Sequence, residues 1–362
     1  MKGKIENILN KSSLSREDIV VLLSTYNSNE CHKVFSEAYR IKQAHIGKKV
    51  ALRGLIEYSN HCRKNCLYCG IRSGNNKISR YNLTHDEVIE ACSFAMVKGF
   101  GSLVIQSGER CSEKYVLQIG KLLKDIKDRS DGRAGITLSC GEQSEEVYRY
   151  WFECGAHRYL LRIESSNREL FEKIHPANRL HDYDTRLKCL KSLRDIGYQV
   201  GTGVMIGLPG QRLEDLADDI LFIRDMDIDM VGMGPYLEHA DTPMYQEKDR
   251  LLPINDRLNL GLLMIAVLRI VMKDINIASS TALHAIDPDG REKGLLAGAN
   301  VIMPNITPAK YRDAYLLYDG KQKIIDERGS SIEQLEIKLR KLGEEILNNE
   351  WGDSRHFMLR NS

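Results

Sequence analysis

No stretch of this 362-residue chain approaches the roughly 18–20 uninterrupted apolar residues that a membrane-spanning helix needs. Its start, MKGKIENILNKSS, has no apolar segment of the signal-peptide kind. An excess of one charge is missing too: 52 basic against 50 acidic residues leave a formal +2, which argues for neither nucleic acid nor an anionic membrane surface as partner. The nine cysteines are odd in number and strewn at 31, 62, 66, 69, 92, 111, 140, 154 and 189. The dense, even framework of a small secreted protein is therefore absent. Together these gaps predict a reducing, cytoplasmic setting, with the six outlying cysteines mostly acting as small buried apolar side chains. There is no low-complexity linker, and 42% hydrophobic with 28% charged residues suits a globular chain with a large core.

What the chain does have is Cys62-Arg63-Lys64-Asn65-Cys66-Leu67-Tyr68-Cys69-Gly70, a C-x3-C-x2-C triplet directly after an apolar segment. A structural zinc site takes four protein ligands in a closed tetrahedron, and a ferredoxin-type cluster takes four thiolates. Three thiolates with no fourth nearby can hold three corners of an iron–sulfur cube and leave one iron open.

From Val50 onward a short apolar run, a loop and an amphipathic helix alternate. The runs are Val50–Tyr58, Ser102–Gln106, Gly135–Cys140, Arg158–Ile163, Gln199–Ile206, Met230–Gly234, Asn276–Ser280 and Asn300–Met303. They are almost continuously hydrophobic, as parallel strands buried on both faces are. Eight such alternations predict an α/β fold, a full (βα)8 barrel of TIM type over residues 48–325. A helical extension at 1–47 would pack over one end, and a charged helical tail at 326–362, helical over Ser331–Leu347, would follow. Thr84-His85-Asp86-Glu87 reads as a capping box opening one of the helices.

In a barrel of this kind chemistry sits at the C-terminal ends of the strands, where the triplet already lies. The second run ends in Gly108-Glu109, where the glycine allows close backbone approach. The third ends in Ser139-Cys140-Gly141-Glu142. The fourth carries Arg162 and Glu164 two residues apart, so strand alternation would put both on one side. They form either a mutual salt bridge in the core or part of a ligand site. Glycines at alternate positions before Met205 and Ile206 leave either a packed bulge or a groove for a flat ring such as adenine. Ser279-Ser280-Thr281 is either a polar turn or a seat for a carboxylate or phosphate. Met230, Met233 and Met303 suit core filling as well as substrate contact. Tyr311, Tyr315 and Tyr318 fall at helical spacing, which suits a helix face packed on the barrel.

The phrases RGLIEYSNHCRKNCLYCGIR, LVIQSGE, GAHRYLLRIES, GTGVMIGLPGQ, DMVGMGPYLEHADTP, GREKGLLAGANVIMPNITP and YRDAYLLYDGK resemble the radical S-adenosylmethionine (SAM) superfamily, specifically the HydE-type [FeFe]-hydrogenase maturases. The resemblance runs from about 50 to 320, and biotin synthase is a more distant likeness. It implies a [4Fe-4S] cluster on Cys62, Cys66 and Cys69 that cleaves SAM reductively to a 5′-deoxyadenosyl radical. It places Tyr68 near the adenine, Gly108 and Glu109 at the methionine amino group, Glu164 on SAM, and Arg186 facing the SAM carboxylate. Ser280 and Thr281 would be the paired hydroxyls of an inner substrate site, with Arg162, Met230, Met303, Tyr315 and Tyr318 around the same cavity. The implied substrate is an iron–carbonyl–cyanide–cysteine complex, and the implied partners are the maturases HydG and HydF and a reductant such as ferredoxin or flavodoxin. Two departures concern the substrate: Ile163 stands where some members have histidine, and Ser280 where threonine is common. A third concerns the metal. Lys321–Asp326 lacks the three further cysteines of some members, so one cluster is expected.

Overall fold

A computed structural model of the chain describes residues 3–320 and 330–362; the stretch 321–326, on which the expectation of a single cluster partly rests, lies outside them. The strands are β1 (Lys49–Ser59), β2 (Ser102–Ser107), β3 (Gly135–Ser139), β4 (Arg158–Leu160), β5 (Gln199–Thr202), β6 (Met205–Ile206), β7 (Met230–Val231), β8 (Gly234–Pro235), β9 (Asn276–Ser279), β10 (Val301–Ile302) and β11 (Glu345–Leu347). Eight of them, β1–β2–β3–β4–β5–β7–β9–β10, pair in parallel in that order, and β10 pairs back to β1 through Ala51–Val301 and Leu52–Ile302. The expected closed barrel is thus the observed one. Parallel neighbours need crossovers, and the helices supply them on the outside, where their apolar faces cover the strands. Thr84 caps its helix as expected, accepting from the Glu87 amide while the Glu87 side chain returns to the Thr84 amide.

Several expectations are corrected. The fifth and sixth apolar runs are each broken: β6 and β8 leave the main sheet and pair only with each other, raising a second storey of wall above β5 and β7. The longer N-terminal helices are Arg16–Leu23 and Cys31–His45. They lie against the outer helices Leu213–Asp225 and Ile254–Val271, where Ile19, Leu22, Leu23, Val34 and Ala38 are buried. The tail has a second helix at Arg355–Arg360, and its first stops early, covering Ser330–Lys341. Gly343 then adopts φ 74°, a left-handed conformation that ends a helix cheaply only at glycine, and the chain turns into β11 alongside β1.

The tail also closes the barrel floor, which nothing in its composition announces. Arg158, fully buried, donates to the Trp351 carbonyl at 2.8 Å and to Asp353 Oδ1 at 2.8 Å. The Gly352 carbonyl accepts from Arg53 Nη2 at 3.0 Å and Asn276 Nδ2 at 2.9 Å, and the Ser354 amide donates to Gln199 at 2.9 Å. Burial without partners would make these interior polar groups costly, so the tail's main chain completes the core. A fully buried Lys42–Glu344 pair at 2.9 Å ties the same tail to the N-terminal helices.

Candidate active site

The segment carrying the three thiols leaves β1 at Ser59 and returns at Asn82, where an antiparallel bridge closes it. It lies at the C-terminal mouth of the barrel, and the strand ends around it fasten it. Gly108 N donates to the Ser59 carbonyl (2.8 Å), Arg63 N to the Glu109 carbonyl (2.9 Å), and Glu109 N to Cys62 Sγ (3.3 Å). A Cβ at Gly108 would strike the His61 carbonyl oxygen and Cys62 Cβ, so only glycine lets β2 come this close. Gly70 is constrained likewise, with the Leu316 carbonyl and the His239 ring against its Cα.

All three thiols are half-buried, and burial pushes each up from its ordinary pKa; at Cys66, raised to about 12, the nearby Cys62 adds to it. Cys69 feels both other sulfurs. Thiols that raise one another's pKa share one enclosure. No three His, Cys, Asp or Glu side chains among the described residues converge on a single-ion site. Three half-buried thiols on one segment are a donor set of the kind an iron–sulfur cluster takes.

Beside the thiols runs a chain of charges of alternating sign. Arg63 Nε meets Glu109 Oε1 at 2.8 Å, and Lys64 lies 3.6 Å from the same oxygen. Lys64 Nζ donates to Glu142 Oε2 at 2.6 Å and to the Leu180 carbonyl. Arg186 Nε donates to Glu142 Oε1 at 2.5 Å, and its Nη1 to the Arg162 carbonyl. Burial alone would raise the Glu142 carboxyl, but Arg186 and Lys64 outweigh it and hold it below its ordinary value. Lys64, Glu109, Glu142 and Arg186 are all buried. Lys64 belongs to the cysteine triplet itself, so this network bolts the cysteine segment to the ends of β2 and β3.

The residues singled out above fall into groups. Arg162 and Glu164 do pair, Nε donating to both carboxylate oxygens at 3.0 Å, while Nη1 and Nη2 take the Gly232 and Val204 carbonyls at 2.5 and 2.9 Å. Strand alternation is not the cause. β4 has ended at Leu160, and Glu164 sits at φ 69°, a strained conformation for a non-glycine residue, costing on the order of 1–3 kcal/mol. Tyr68, Leu67 and Met205 share one small apolar cluster with Tyr236 and Met244, and the Tyr68 ring packs edge-on against His175 at 5.5 Å. Ile206 belongs instead to the main core.

Ser280 caps the helix Thr281–Ile286 with its own hydroxyl unpartnered, and Thr281 Oγ1 meets Tyr318 OH at 2.9 Å. Tyr315 and Tyr318 are not helical, because the helix there covers only Ala309–Arg312; Tyr311 stacks on Tyr81 at 4.7 Å. Met230 and Met303 line a cavity of about 30 Å³ deep in the barrel with Arg53, Thr137 and Asn276, whose lining includes none of Ser280, Thr281, Tyr315 or Tyr318. That volume holds about one water molecule.

Lys64 and Glu142 were not assigned a role from sequence, although a signal existed. Gly108-Glu109 and Gly141-Glu142 are the same pair of residues at the ends of neighbouring strands, and the β2–β3 register of Gln106 with Ser139 sets them side by side. The Glu142 amide in fact donates to Glu109 Oε2 at 2.8 Å.

Comparison with known proteins bears on this site. The family model described as Radical SAM superfamily matches residues 56–223. The chain is 40% identical over 350 residues, 95% of each chain, to the [FeFe] hydrogenase maturase subunit HydE of Thermotoga maritima. It is 26% identical to the 3-methylornithine synthase of Methanosarcina acetivorans, over 94% of this chain and 92% of that one. The crystal structure of a methylornithine synthase superposes with a TM-score of 0.79 at 25% identity, covering 96% of this chain and 98% of that one.

Proposed function

We propose, from the premise that this chain belongs to the radical SAM superfamily and within it to the HydE-type maturases, that it acts on an iron–carbonyl–cyanide–cysteine complex for assembly of the hydrogenase diiron subcluster. Carrying this reading is the 40% identity to a HydE maturase along 95% of both chains. That length takes in every strand end of the barrel, not the cysteine triplet alone. A [4Fe-4S] cluster on Cys62, Cys66 and Cys69 would supply the electron that cleaves SAM to a 5′-deoxyadenosyl radical.

The chain's own groups do the rest. A methionyl zwitterion needs a cation and an anion side by side, and the charge chain at the mouth offers both. Arg186 is aligned for a carboxylate, and Gly108 and Glu109 bring backbone and an acceptor up to the thiols. Tyr68 and Met205 form an apolar shelf for a flat base. Arg162, braced by Glu164 and two main-chain carbonyls, stands between this ring and the interior. There Ser280, Thr281 and Tyr318 offer hydroxyls and Tyr315 offers apolar surface to a substrate, whereas Met230 and Met303 line the separate small cavity deep in the barrel. A barrel wall of this kind excludes water from a reactive alkyl radical until it meets its target. HydG as supplier of the substrate, HydF as scaffold for the product, and ferredoxin or flavodoxin as reductant complete the proposal.

The likeness to methylornithine synthase, with a TM-score of 0.79, favours a second reading: the same radical chemistry on another amino-acid or sulfur substrate. Two measurements separate the readings. Anaerobic reconstitution with SAM and dithionite should yield 5′-deoxyadenosine, and an intact cluster with no such product would refute both. Activation of apo-hydrogenase in a reconstituted maturation mixture should require this protein, and activation without it would leave only the second.

A further inference from the structure

Arg80 lies on no barrel strand, yet it makes more main-chain contacts around the cysteine segment than any residue of the triplet. Its Nη1 donates to the carbonyls of Asn60 at 2.5 Å and Ile71 at 2.8 Å, and its Nη2 to those of Arg72 at 2.6 Å and Asn75 at 3.0 Å. Asn60 comes two residues before Cys62, while Ile71 and Arg72 follow Cys69 by two and three. One planar group therefore joins the chain entering the triplet to the chain leaving it. Local bonds extend the same closure: Asn75 Nδ2 donates to the Gly70 carbonyl at 2.8 Å, and the Tyr81 amide to Asn60 Oδ1 at 2.8 Å. Only a guanidinium has the fixed fork of donors for four carbonyls at once; a lysine ammonium has three donors around one point.

The second half of the argument is charge. Every hydrogen bond of Arg80 goes to a neutral carbonyl, and none of the ion pairs among described residues includes it. At the opposite side of the segment Arg63, Lys64 and Arg186 are all matched by Glu109 and Glu142. The Arg80 charge thus meets no carboxylate, and its bonds to the Asn60 and Ile71 carbonyls hold it two residues from Cys62 on one side and two from Cys69 on the other; burial lowers its pKa, and Cys62 and Cys69 oppose that.

We propose that Arg80 is the positioning residue of the cysteine segment: it clamps the two ends of the segment together, and its charge, which meets no carboxylate, favours the one-electron-reduced state of the cluster held there. The proposal rests on the cluster reading above. A fixed cation stabilises the state with one more negative charge, so losing it shifts the cluster potential downward, while losing the fork loosens the segment around the metal.

The test uses the full chain, reconstituted anaerobically, as wild type, Arg80→Lys and Arg80→Gln. Iron retention is followed under a chelator, and the reduced-cluster EPR signal is followed in a mediated dithionite titration. Arg80→Gln should lower the reduced-to-oxidised ratio about tenfold at the wild-type midpoint, which is 59 mV for one electron, and should lose iron faster. Arg80→Lys should keep the wild-type midpoint and still lose iron faster. Wild-type behaviour of both variants in both measurements, or a midpoint that rises in Arg80→Gln, overturns the proposal. Should Arg80→Gln hold too little cluster to titrate, Arg80→Lys decides, because wild-type iron retention there removes the clamp. A wild type with neither iron nor EPR signal overturns the cluster reading and the proposal together.

Discussion

Arg158 at the floor of the barrel and Arg186 at its mouth are both buried cations, but they are satisfied by different means. Arg158 takes a main-chain carbonyl and Asp353 from the tail, with Thr137 Oγ1 on its Nε at 3.0 Å. Burial is the main reason its pKa falls, to about 10, and Asp353 offsets part of that. Arg186 leans on Glu142, which also carries Lys64 from the cysteine segment. The floor is closed by chain, and to open it the tail must peel away. The mouth is closed by side chains, and in the function proposed above their carboxylates and cations exchange partners with an incoming zwitterion. A stable barrel can be built with charge at both ends, but at the mouth the partners are other side chains rather than main chain.

The sharpest test of the mouth is Cys66→Ser. Formation of 5′-deoxyadenosine in the reconstituted protein should be abolished, while thermal unfolding of the metal-free chain stays near wild type. Product at the wild-type rate would dissolve the functional side of the contrast.

At the floor, Asp353→Ala should cost about 3 kcal/mol in urea unfolding, because removing one partner strands a buried guanidinium. SAM cleavage per intact cluster should be unaffected. A loss below about 0.5 kcal/mol would mean that the tail's carbonyls alone suffice.

A smaller effect comes from His356 in the terminal helix, which bridges Asp274 at 3.0 Å and Asp227 at 2.7 Å. Asp274 and Asp227, opposed by partial burial, raise its pKa to about 9. Because the folded value lies above the unfolded one of about 6.5, its contribution is full below pH 6.5 and is lost as pH rises through 9. Wild type should therefore exceed His356→Gln by about 2 kcal/mol at pH 6, and the gap should close by about pH 10. A gap that widens with pH would contradict the assignment.

The smallest effect belongs to Glu142→Gln. It should raise the KM for SAM about tenfold, or about 1.4 kcal/mol, and leave kcat within about threefold. An unchanged KM would make Glu142 structural, like its counterparts at the floor.

Much of the site was legible before folding was considered. C-x3-C-x2-C after an apolar run puts three thiols on one segment without a fourth nearby, since cysteines close in sequence stay close in space. Gly108 was read as a point of close approach, and it is one. Thr84 and Glu87 signal a helix start because a capping box spans only three residues. Other features were hidden by distance along the chain. Lys64 meets Glu142 across 78 residues, and Arg158 meets Trp351 across 193. Tyr315 and Tyr318 mimic helical spacing, yet the segment is held as turns, with Tyr318 on Thr281 and Tyr315 buried. β7 and β10 are only two residues long, so the longer apolar runs overstated the regular strand.

By itself, the sequence determined the local chemistry: three thiols on one segment, a glycine where backbones must meet, and the alternation that demands parallel strands and outer helices. Tertiary structure alone decided which charges became partners. Pairing β2 with β3 sets Glu109 beside Glu142, and the closed barrel brings Lys64 and Arg186 to them and leaves Arg80 to four carbonyls. It also brings the last dozen residues back under the floor. The reason is desolvation: a buried charge must take a partner, and which partner lies within reach is a property of the closed barrel.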